Sequence, residues 1–271
     1  MNINNIKNET DVSAAFSAQS PVFDATYNGN QTTLWMRSRA RKEVMTYIKP
    51  GARILELNCG TGIDSLYFAE QGFEVVATDN SDGMLAKLRQ KISSMNTEPD
   101  ISVKKCSFNR IDTLDAGTFD YVFSNFGGLN CTDKLYEVLE GIDKVLKPGG
   151  HFTLVVMPKI CPWEILMLFK GYFKTAFRRF KKNGTPARIE GVHVMCYYYN
   201  PFYIIKHVGE KYKLKALKGL CIVMPPPFIE KFHERYPRIF GILEQVENRI
   251  SLIPPFNRWC DHYAITMQKI K

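Results

Sequence analysis

A short segment with two glycines and one carboxylate is the first candidate for ligand chemistry in this chain. It covers residues 54–64, Ile-Leu-Glu-Leu-Asn-Cys-Gly-Thr-Gly-Ile-Asp. Gly60 and Gly62 carry no side chain, so backbone N–H groups at this turn can approach a nucleotide-like ligand closely. Glu56 precedes the turn, where its charge suits a cationic ligand and would repel a pyrophosphate. The pattern predicts a site for a positively charged nucleoside derivative.

Two later features narrow the identity of that ligand. Asp79 ends the apolar run Glu-Val-Val-Ala-Thr-Asp, where a carboxylate can bind both hydroxyls of a ribose. The segment Leu-Lys-Pro-Gly-Gly at 146–150 precedes another apolar run. Together with Glu56, these features favour S-adenosylmethionine (SAM) as the cofactor over a nicotinamide dinucleotide, with S-adenosylhomocysteine as the product.

The elements that must position these residues follow from apolar periodicity and from turn residues. A helix is expected over 31–48. Strands are then expected over 53–57, 74–78, 101–106, 119–124 and 151–157, alternating with helices over 63–71, 81–94 and 133–146. Such alternation predicts parallel strands joined by crossover helices in a doubly wound sheet. Ligands of such sheets lie at the carboxyl ends of the strands.

The remaining residues are less regular. Residues 1–30 are polar and are expected to form a loose arm. The second half predicts an amphipathic helix over 160–180, a loop with aromatic residues over 184–199, a helix over 201–210, a strand over 212–223, helices within 228–251 and a final strand over 261–268.

Residues 50–157 resemble the core of class I SAM-dependent methyltransferases, especially the ubiquinone- and menaquinone-biosynthesis type. Four motifs occur in the family's order: the glycine turn, Asp79, the residues after the fourth strand and Leu-Lys-Pro-Gly-Gly. The resemblance implies an α/β, Rossmann-like, doubly wound sheet of seven strands with an antiparallel last strand. We also expect an inserted helical lid.

The resemblance assigns cofactor-binding roles to the matched positions, which are Glu56, Asn58, Gly60, Gly62, Asp79, Asn80, Ser107, Phe108, Ser124 and Asn125. Glu56 and the glycines would contact the methionine end, and Asp79 the ribose. Ser107 and Phe108 would lie along the adenine. The segment 124–126 would face the methyl group.

Two of these positions depart from the family pattern. Asn58 replaces the first glycine of the turn, and asparagine tolerates the same left-handed backbone conformation. Ser107 replaces an acidic residue often found beside the adenine. Tyr27 lies in the polar arm, which resembles the segment that folds over the cofactor in this family. The alternative for the arm is a tail without fixed structure.

The chain is accordingly divided into four parts. We expect an N-terminal arm and helix covering the cofactor at 1–48, a SAM-binding core at 49–158, a basic amphipathic and aromatic lid insertion at 159–211, and a completion of the core sheet at 212–271.

Methyl transfer from SAM needs alignment and exclusion of water, and it needs a base only when the nucleophile carries a proton. His193 lies in the segment expected to cover the substrate and is the candidate base; a structural role is the alternative. Phe126, Tyr197, Tyr198 and Tyr199 are the expected substrate pocket. His262, in the final strand, is expected to be structural. Because no His/Asp/Glu cluster has metal-ligand spacing, no metal is expected.

Charge is unevenly distributed along the chain. The net charge is +9, yet residues 1–150 hold 16 basic and 19 acidic side chains, whereas residues 151–271 hold 20 and 8. Within 160–182, apolar residues recur at helical spacing beside lysines and arginines. This segment is either a lid packed on the sheet or a surface that contacts an anionic membrane or a lipid-like substrate. Nucleic acid is not an expected partner, because no RNA-binding module accompanies the basic residues.

Several classes are disfavoured by missing patterns. Seven cysteines without a Cys-x-x-Cys pair argue against a disulfide framework or a zinc site. No signal peptide is expected, and no stretch has about 18 uninterrupted apolar residues. The Asn/Asp-Pro-Pro-Tyr/Phe motif of enzymes that methylate the exocyclic amines of bases is absent after the fourth strand.

We therefore expect a cytoplasmic enzyme, soluble or peripheral to the membrane, that methylates an oxygen or carbon nucleophile on a hydrophobic small molecule. The alternatives are an RNA or protein methyltransferase that docks through the basic half, and a SAM-binding protein without catalytic activity.

Overall fold

The computed structural model describes the backbone of residues 3–270 and the side chains of residues 8–270. The helices are α1 (Ile3–Asn28), α2 (Gln31–Tyr47), α3 (Ile63–Glu70), α4 (Asp82–Ser93), α5 (Leu135–Val145), α6 (Pro162–Ile165), α7 (Phe173–Phe177), α8 (Pro201–Val208), α9 (Phe232–Arg235) and α10 (Pro237–Ile250). The strands are β1 (Arg53–Leu57), β2 (Glu74–Asp79), β3 (Ile101–Lys105), β4 (Phe119–Ser124), β5 (Leu146–Val156), β6 (Thr185–Ile189), β7 (Val192–Cys196), β8 (Tyr212–Leu220) and β9 (His262–Lys269).

Seven of these strands form one sheet in the order β3-β2-β1-β4-β5-β9-β8. The first five are parallel, and β9 is antiparallel to both of its neighbours. This topology confirms the predicted doubly wound, Rossmann-like sheet with an antiparallel last strand. Because β9 is antiparallel, its first residues lie beside the carboxyl end of β5, where Val156 pairs with Tyr263. The start of β9 and the ends of β1 and β4 thus share one edge.

Successive residues of the central strands point to opposite faces and build two cores. In β4, Val122 joins the face covered by α5, whereas Tyr121 and Phe123 join the face covered by α2. All three are essentially inaccessible to solvent. Apolar side chains on both faces explain why these strands are nearly continuous hydrophobic runs.

The prediction of a loose arm is wrong, because the described residues of this segment form the helix α1. Its serines find partners in the core domain: the Ser17 and Ser81 hydroxyls lie 2.8 Å apart, and Ser13 Oγ donates to the Asn80 carbonyl. α1 packs on α4 and on β7. These tertiary contacts supply the stability that a polar segment lacks as an isolated helix.

The second half differs from the predicted elements in two places. The single helix expected over 160–180 is divided into α6, a 3-10 segment at Leu166–Lys170, α7 and a 3-10 segment at Arg178–Phe180. Gly171, with a left-handed φ of 78°, ends the first 3-10 segment before α7. The loop expected over 184–199 contains the hairpin β6–β7. Its turn is Glu190-Gly191, both with positive φ, which suits a tight hairpin. The insertion after β5 thus combines short helices with a hairpin.

Among the described residues, no helix combines the length and apolar composition required to cross a bilayer.

Candidate active site

A cleft of about 370 Å³ opens at the carboxyl edge of the sheet. Its walls come from the ends of β1, β2 and β4, from α1 and α2, and from the start of β9. Among the predicted cofactor-binding residues, those lining it are Tyr27, Glu56, Asn58, Gly60, Asp79, Asn80, Phe108 and Asn125. Gly62, Ser107 and Ser124 do not line it. The cleft is therefore where a parallel sheet is expected to bind its ligand.

The turn after β1 has a left-handed backbone at several positions. Asn58 has a φ of 47° and Gly60 a φ of 57°. Asn58 holds this conformation with its side chain: Nδ2 donates to the Asn125 carbonyl at 3.1 Å, and Oδ1 accepts from Ser124 Oγ at 2.6 Å. Ser124 thus positions Asn58 instead of facing the ligand as predicted, because its fully buried hydroxyl is directed at Asn58.

The two glycines of the turn serve different purposes. A Cβ at Gly60 would meet only the Phe23 ring, at 3.7 Å, so that position is open toward the cleft. A Cβ at Gly62 would lie 2.2 Å from Leu88 Cδ1. Gly62 is therefore required by the packing of α4 against the turn, and the prediction that it contacts the ligand is not supported by its location.

Glu56 is buried beneath the cleft, with 2% of its surface exposed. Burial, together with the nearby Asp64 carboxylate, raises the pKa of Glu56 to about 8, although Ser65 Oγ donates a hydrogen bond to it. Asp64 is itself paired with Arg37 and Arg41. A cation bound at Glu56 would compensate the charge that burial disfavours.

Buried polar atoms without partners occur in two residues that line the same cleft as Glu56. Arg37 Nε and Thr33 Oγ1 are both inaccessible to solvent and have no hydrogen-bond partner among the residues that the structure describes. Such atoms require a partner, and a ligand carboxylate can supply it. A carboxylate that favours a cation thus shares the cleft with donors that favour an anion. This combination fits the ammonium and carboxylate of the methionine end of SAM.

Sequence reasoning missed Arg37 and Thr33. They lie in a segment predicted correctly as helical, but nothing in its pattern distinguishes Arg37 from Arg39 or Arg41. The orientation of α2 in the folded chain directs Arg37 into the cleft, where its guanidinium lies 4.6 Å from the centroid of the Phe126 ring.

Asp79 lies at the end of β2 with its carboxylate fixed. Its Oδ2 accepts from Gly60 N–H at 2.9 Å and its Oδ1 accepts from Ser81 N–H at 2.8 Å. Burial raises the pKa of Asp79, while these hydrogen bonds act in the opposite direction. Each oxygen retains lone pairs, so the carboxylate can still accept from ribose hydroxyls. Ser107, predicted beside the adenine, instead accepts from Asn109 N–H and lines a separate, smaller cavity.

α1 forms the roof of the cleft. Phe23 and Tyr27 contact each other with ring centroids 4.4 Å apart, and both line the cleft. Between them, Asp24 pairs with Lys91 at 2.6 Å and accepts a hydrogen bond from Thr61. These bonds attach the helix directly over the glycine turn, so a bound nucleoside would be enclosed between sheet and roof.

The residues predicted to bind the acceptor lie elsewhere, except Phe126. His193 is exposed on β7, paired across the hairpin with Arg188, and does not line the cleft. The hairpin carries it away from the sheet edge, which corrects its assignment as the base.

The positions of Tyr197, Tyr198 and Tyr199 likewise do not support the prediction that they line the substrate pocket. Tyr199 donates to the Thr132 carbonyl at 2.5 Å, Arg179 lies over the Tyr198 ring, and none of Tyr197–Tyr199 lines the cleft. All three instead line a separate cavity, together with Lys181, Lys182 and Phe202. The backbone N–H groups of Tyr197 and Tyr199 donate to the carbonyls of Asn130 and Met157, which holds this segment beside the end of β5.

His262 lines the cleft, contrary to its predicted structural role. Its Nδ1 lies 2.8 Å from Asp261 Oδ2, and Asp261 Oδ1 accepts from Arg179 Nη2 at 2.6 Å. Its Nε2 faces Gly127, at 3.3 Å from the position a Cβ would take there. An imidazole bonded to a carboxylate through Nδ1–H has its Nε2 lone pair free to accept a proton.

Charges around Asp261 keep it ionised. Burial alone would raise the pKa of Asp261, but His262 and Arg179 beside it hold that pKa below its usual range. Glu164 receives hydrogen bonds from Arg178 and Arg179 at 2.7–2.8 Å. Asp261, Glu164 and Cys161 lie close enough together to hold an ion, yet both carboxylates are already paired with guanidinium groups.

A signal for His262 was present in the sequence. The Asp-His pair begins the last strand, and the family's antiparallel last strand starts at the carboxyl edge of the sheet.

Comparison with known proteins agrees with the site. A family model described as a methyltransferase domain matches residues 54–150. A demethylmenaquinone methyltransferase from Listeria monocytogenes is 30% identical over 181 residues, which are 64% of this chain and 73% of that protein. An S-adenosyl-L-methionine-dependent Diels-Alderase from Talaromyces variabilis is 34% identical over 106 residues, 39% of this chain and 36% of that protein. A demethylmenaquinone methyltransferase from Beutenbergia cavernae is 30% identical over 129 residues, which are 48% of this chain and 50% of that protein. The chain thus spans between a third and three quarters of these relatives.

Solved structures share the fold at lower sequence identity. The CcbJ methyltransferase from Streptomyces caelestis has a TM-score of 0.56 at 15% identity, with 87% of this chain and 90% of that chain covered. A SAM-dependent methyltransferase from Mesorhizobium loti has a TM-score of 0.53 at 15% identity, covering 84% and 96%. With this topology, this cleft and these relatives, the chain belongs to the class I SAM-dependent methyltransferase family.

Proposed function

We propose that the protein transfers the methyl group of SAM to an oxygen or carbon nucleophile on a hydrophobic, aromatic or lipid-like small molecule. The observation that carries the proposal is the composition of the cleft. The cleft combines the polar groups of Glu56, Arg37 and Thr33 with the side chains of Phe126, Met157, Phe228 and His262.

SAM supplies a methyl group already activated by the positive sulfonium. In this proposal Glu56 binds the ammonium, while Arg37 and Thr33 bind the carboxylate. Asp79 binds the ribose hydroxyls. Tyr27 and Phe23 cover the nucleoside and exclude water, which strengthens these polar interactions.

The acceptor class follows from the apolar side chains of the cleft, Phe126, Met157 and Phe228. Aromatic and thioether side chains hold an apolar ring by its faces and keep water from the transferred methyl group. Demethylmenaquinone, the compound that names several relatives, belongs to this class and supports the proposal. We infer a ring that bears a hydroxyl group, either as the nucleophile or as the group that activates a neighbouring carbon.

His262 is the proposed base. Its Nε2 accepts the hydroxyl proton, while Asp261 fixes the ring through Nδ1 and stabilises the imidazolium that forms. Arg178 and Arg179 also line the cleft, and the ion pair of Arg179 with Asp261 holds the carboxylate that orients His262. A base at this position therefore favours a hydroxyl acceptor over an amine, because an amine loses its proton after attack without a positioned base.

The reaction is tested by measuring S-adenosylhomocysteine formation with SAM and a naphthalenediol or a short-chain demethylmenaquinol. We expect turnover in the wild type and a loss of roughly 10²–10⁴-fold in kcat for His262→Gln, with SAM affinity retained. His193→Gln is the matched control, because it changes an exposed histidine outside the cleft, and its turnover should equal that of the wild type.

The pattern of failure separates the parts of the proposal. SAM binding without turnover on any acceptor of this class would refute the proposed acceptor class and leave the SAM-binding role of the cleft in place. Turnover that is unchanged in His262→Gln would leave the methyltransferase intact and remove the base.

A further inference from the structure

The insertion after β5 presents large apolar side chains to solvent. Its short helices contact one another and carry six exposed apolar side chains, which we call the aromatic patch: Leu166, Phe169, Tyr172, Phe173, Phe177 and Phe180. Phe169 is 88% exposed and Phe173 is 64% exposed, and the Phe177 and Phe180 ring centroids lie 6.4 Å apart. Large exposed apolar side chains concentrated in one segment mark an interaction surface.

The patch is exposed because the insertion is anchored by other residues. Glu164, Ala176 and Arg179 are buried, and Arg179 joins Glu164 to Asp261 on the core. The buried ion pairs therefore fix the insertion to the sheet edge, while the phenylalanines are directed outward. The predicted packing of the apolar stripe on the sheet does not occur for these side chains.

The charge of the segment specifies the partner. No aspartate or glutamate occurs from residue 165 to residue 189, whereas Lys170, Lys174, Lys181 and Lys182 lie between or directly after the aromatic residues. Aromatic side chains that enter the headgroup region, with lysines that contact anionic lipids, are the pattern of a peripheral membrane surface. A protein partner would bury such a patch without requiring a uniformly positive border.

We propose that the aromatic patch binds the surface of an anionic lipid bilayer. Arg178 and Arg179, at the end of the same segment, line the cleft, and Phe228 lines it while 48% exposed. Docking through the patch thus brings the cleft close to the membrane, where an apolar acceptor is concentrated. Binding to the bilayer is independent of methyl transfer, so the two proposals stand or fall separately.

Sedimentation of the full chain with vesicles tests the proposal. Vesicles of phosphatidylcholine with about one third phosphatidylglycerol should bind the protein, and vesicles of phosphatidylcholine alone should bind it far more weakly. Phe169→Ser/Phe173→Ser should lower the partition coefficient on the anionic vesicles by roughly tenfold or more, since both rings would lose their apolar contact. Lys170→Gln/Lys174→Gln should lower it by roughly fivefold for each lysine and reduce its dependence on salt.

Leu214→Ser is the matched control. Leu214 is 42% exposed and lies on β8, the edge strand of the sheet, so the substitution removes an exposed apolar side chain outside the patch. Its partition should equal that of the wild type. All substituted side chains are at least partly exposed, so thermal unfolding should change little and confirm that each variant is folded.

Results of two kinds would overturn the proposal. One is equal binding of the wild type to anionic and neutral vesicles, or equal partition of the wild type and the phenylalanine variant. The other is a higher affinity for a short single-stranded RNA, retained in the phenylalanine variant and able to displace the vesicles. That second result would assign the basic border to nucleic acid.

Discussion

Proton release on ligand binding tests the assignment of Glu56. In the ligand-free protein, burial and Asp64 raise the pKa of Glu56 to about 8 from an ordinary value of 4.5. The carboxyl is therefore mainly protonated at pH 7, and a ligand ammonium must displace its proton to form an ion pair. S-adenosylhomocysteine is the preferred probe, because it carries the same ammonium and carboxylate without reacting.

The size of the effect depends on how far the bound ammonium lowers this pKa, and each pKa unit corresponds to about 1.4 kcal/mol of binding free energy. If the bound pKa falls below about 6, the affinity should rise nearly tenfold per pH unit between pH 6 and 8 and then level off. Calorimetry in buffers of different ionisation enthalpy should detect close to one proton released at pH 7.

The same shift has a consequence for the ligand-free protein. Since the folded pKa is raised, the contribution of Glu56 to stability is fully present below pH 4.5 and is lost as the pH rises to about 8. Glu56→Gln should remove this dependence and abolish proton release. Asp82→Asn is the matched control, because Asp82 is an exposed acid at the start of α4. An affinity of the wild type that does not change between pH 6 and 8 would refute the reasoning.

Three further substitutions separate ligand contacts from packing. Asp79→Ala should remove about 1.5–3 kcal/mol of the stabilisation that SAM gives in thermal unfolding, since the ribose loses its acceptor; an unchanged shift would place the ribose elsewhere. Gly62→Ala should destabilise the ligand-free protein, because its Cβ would overlap Leu88 Cδ1 at a left-handed φ, and Leu88→Ala should partly restore it; normal stability in Gly62→Ala would contradict the packing role. Arg37→Gln should weaken S-adenosylhomocysteine at least tenfold yet leave 5′-methylthioadenosine, which lacks the carboxylate, nearly unaffected; equal losses for both ligands would point to a structural role for Arg37 instead.

The parallel core was predictable because local pattern and global position agree there. Residues 119–124 are apolar on both faces, and the strand β4 has these bounds in the structure. Ser81 caps α4 by accepting from Met84 N–H, as its position before an amphipathic run indicates. Glu56, Gly60 and Asp79 line the cleft because their places at strand ends depend only on the order of the elements.

The acceptor side was not predictable by the same route. His193 was chosen from a segment expected to cover the substrate, but the positive φ of Glu190 and Gly191 closes a hairpin that points it into solvent. The break at Gly171 likewise turns an apparent amphipathic helix into short pieces with exposed rings. Both outcomes depend on single backbone conformations that apolar periodicity does not encode.

A structure with S-adenosylhomocysteine bound tests the central claim most directly. We predict that the ammonium contacts Glu56, the carboxylate contacts Arg37 and the ribose hydroxyls contact Asp79. The sulfur should be directed toward Phe126 and His262. The His262 Nε2 should lie within reach of an acceptor placed in line with the sulfur. A ligand bound outside this cleft, or a His262 Nε2 more than about 10 Å from the methyl position, far beyond proton-transfer distance, would contradict the assignment.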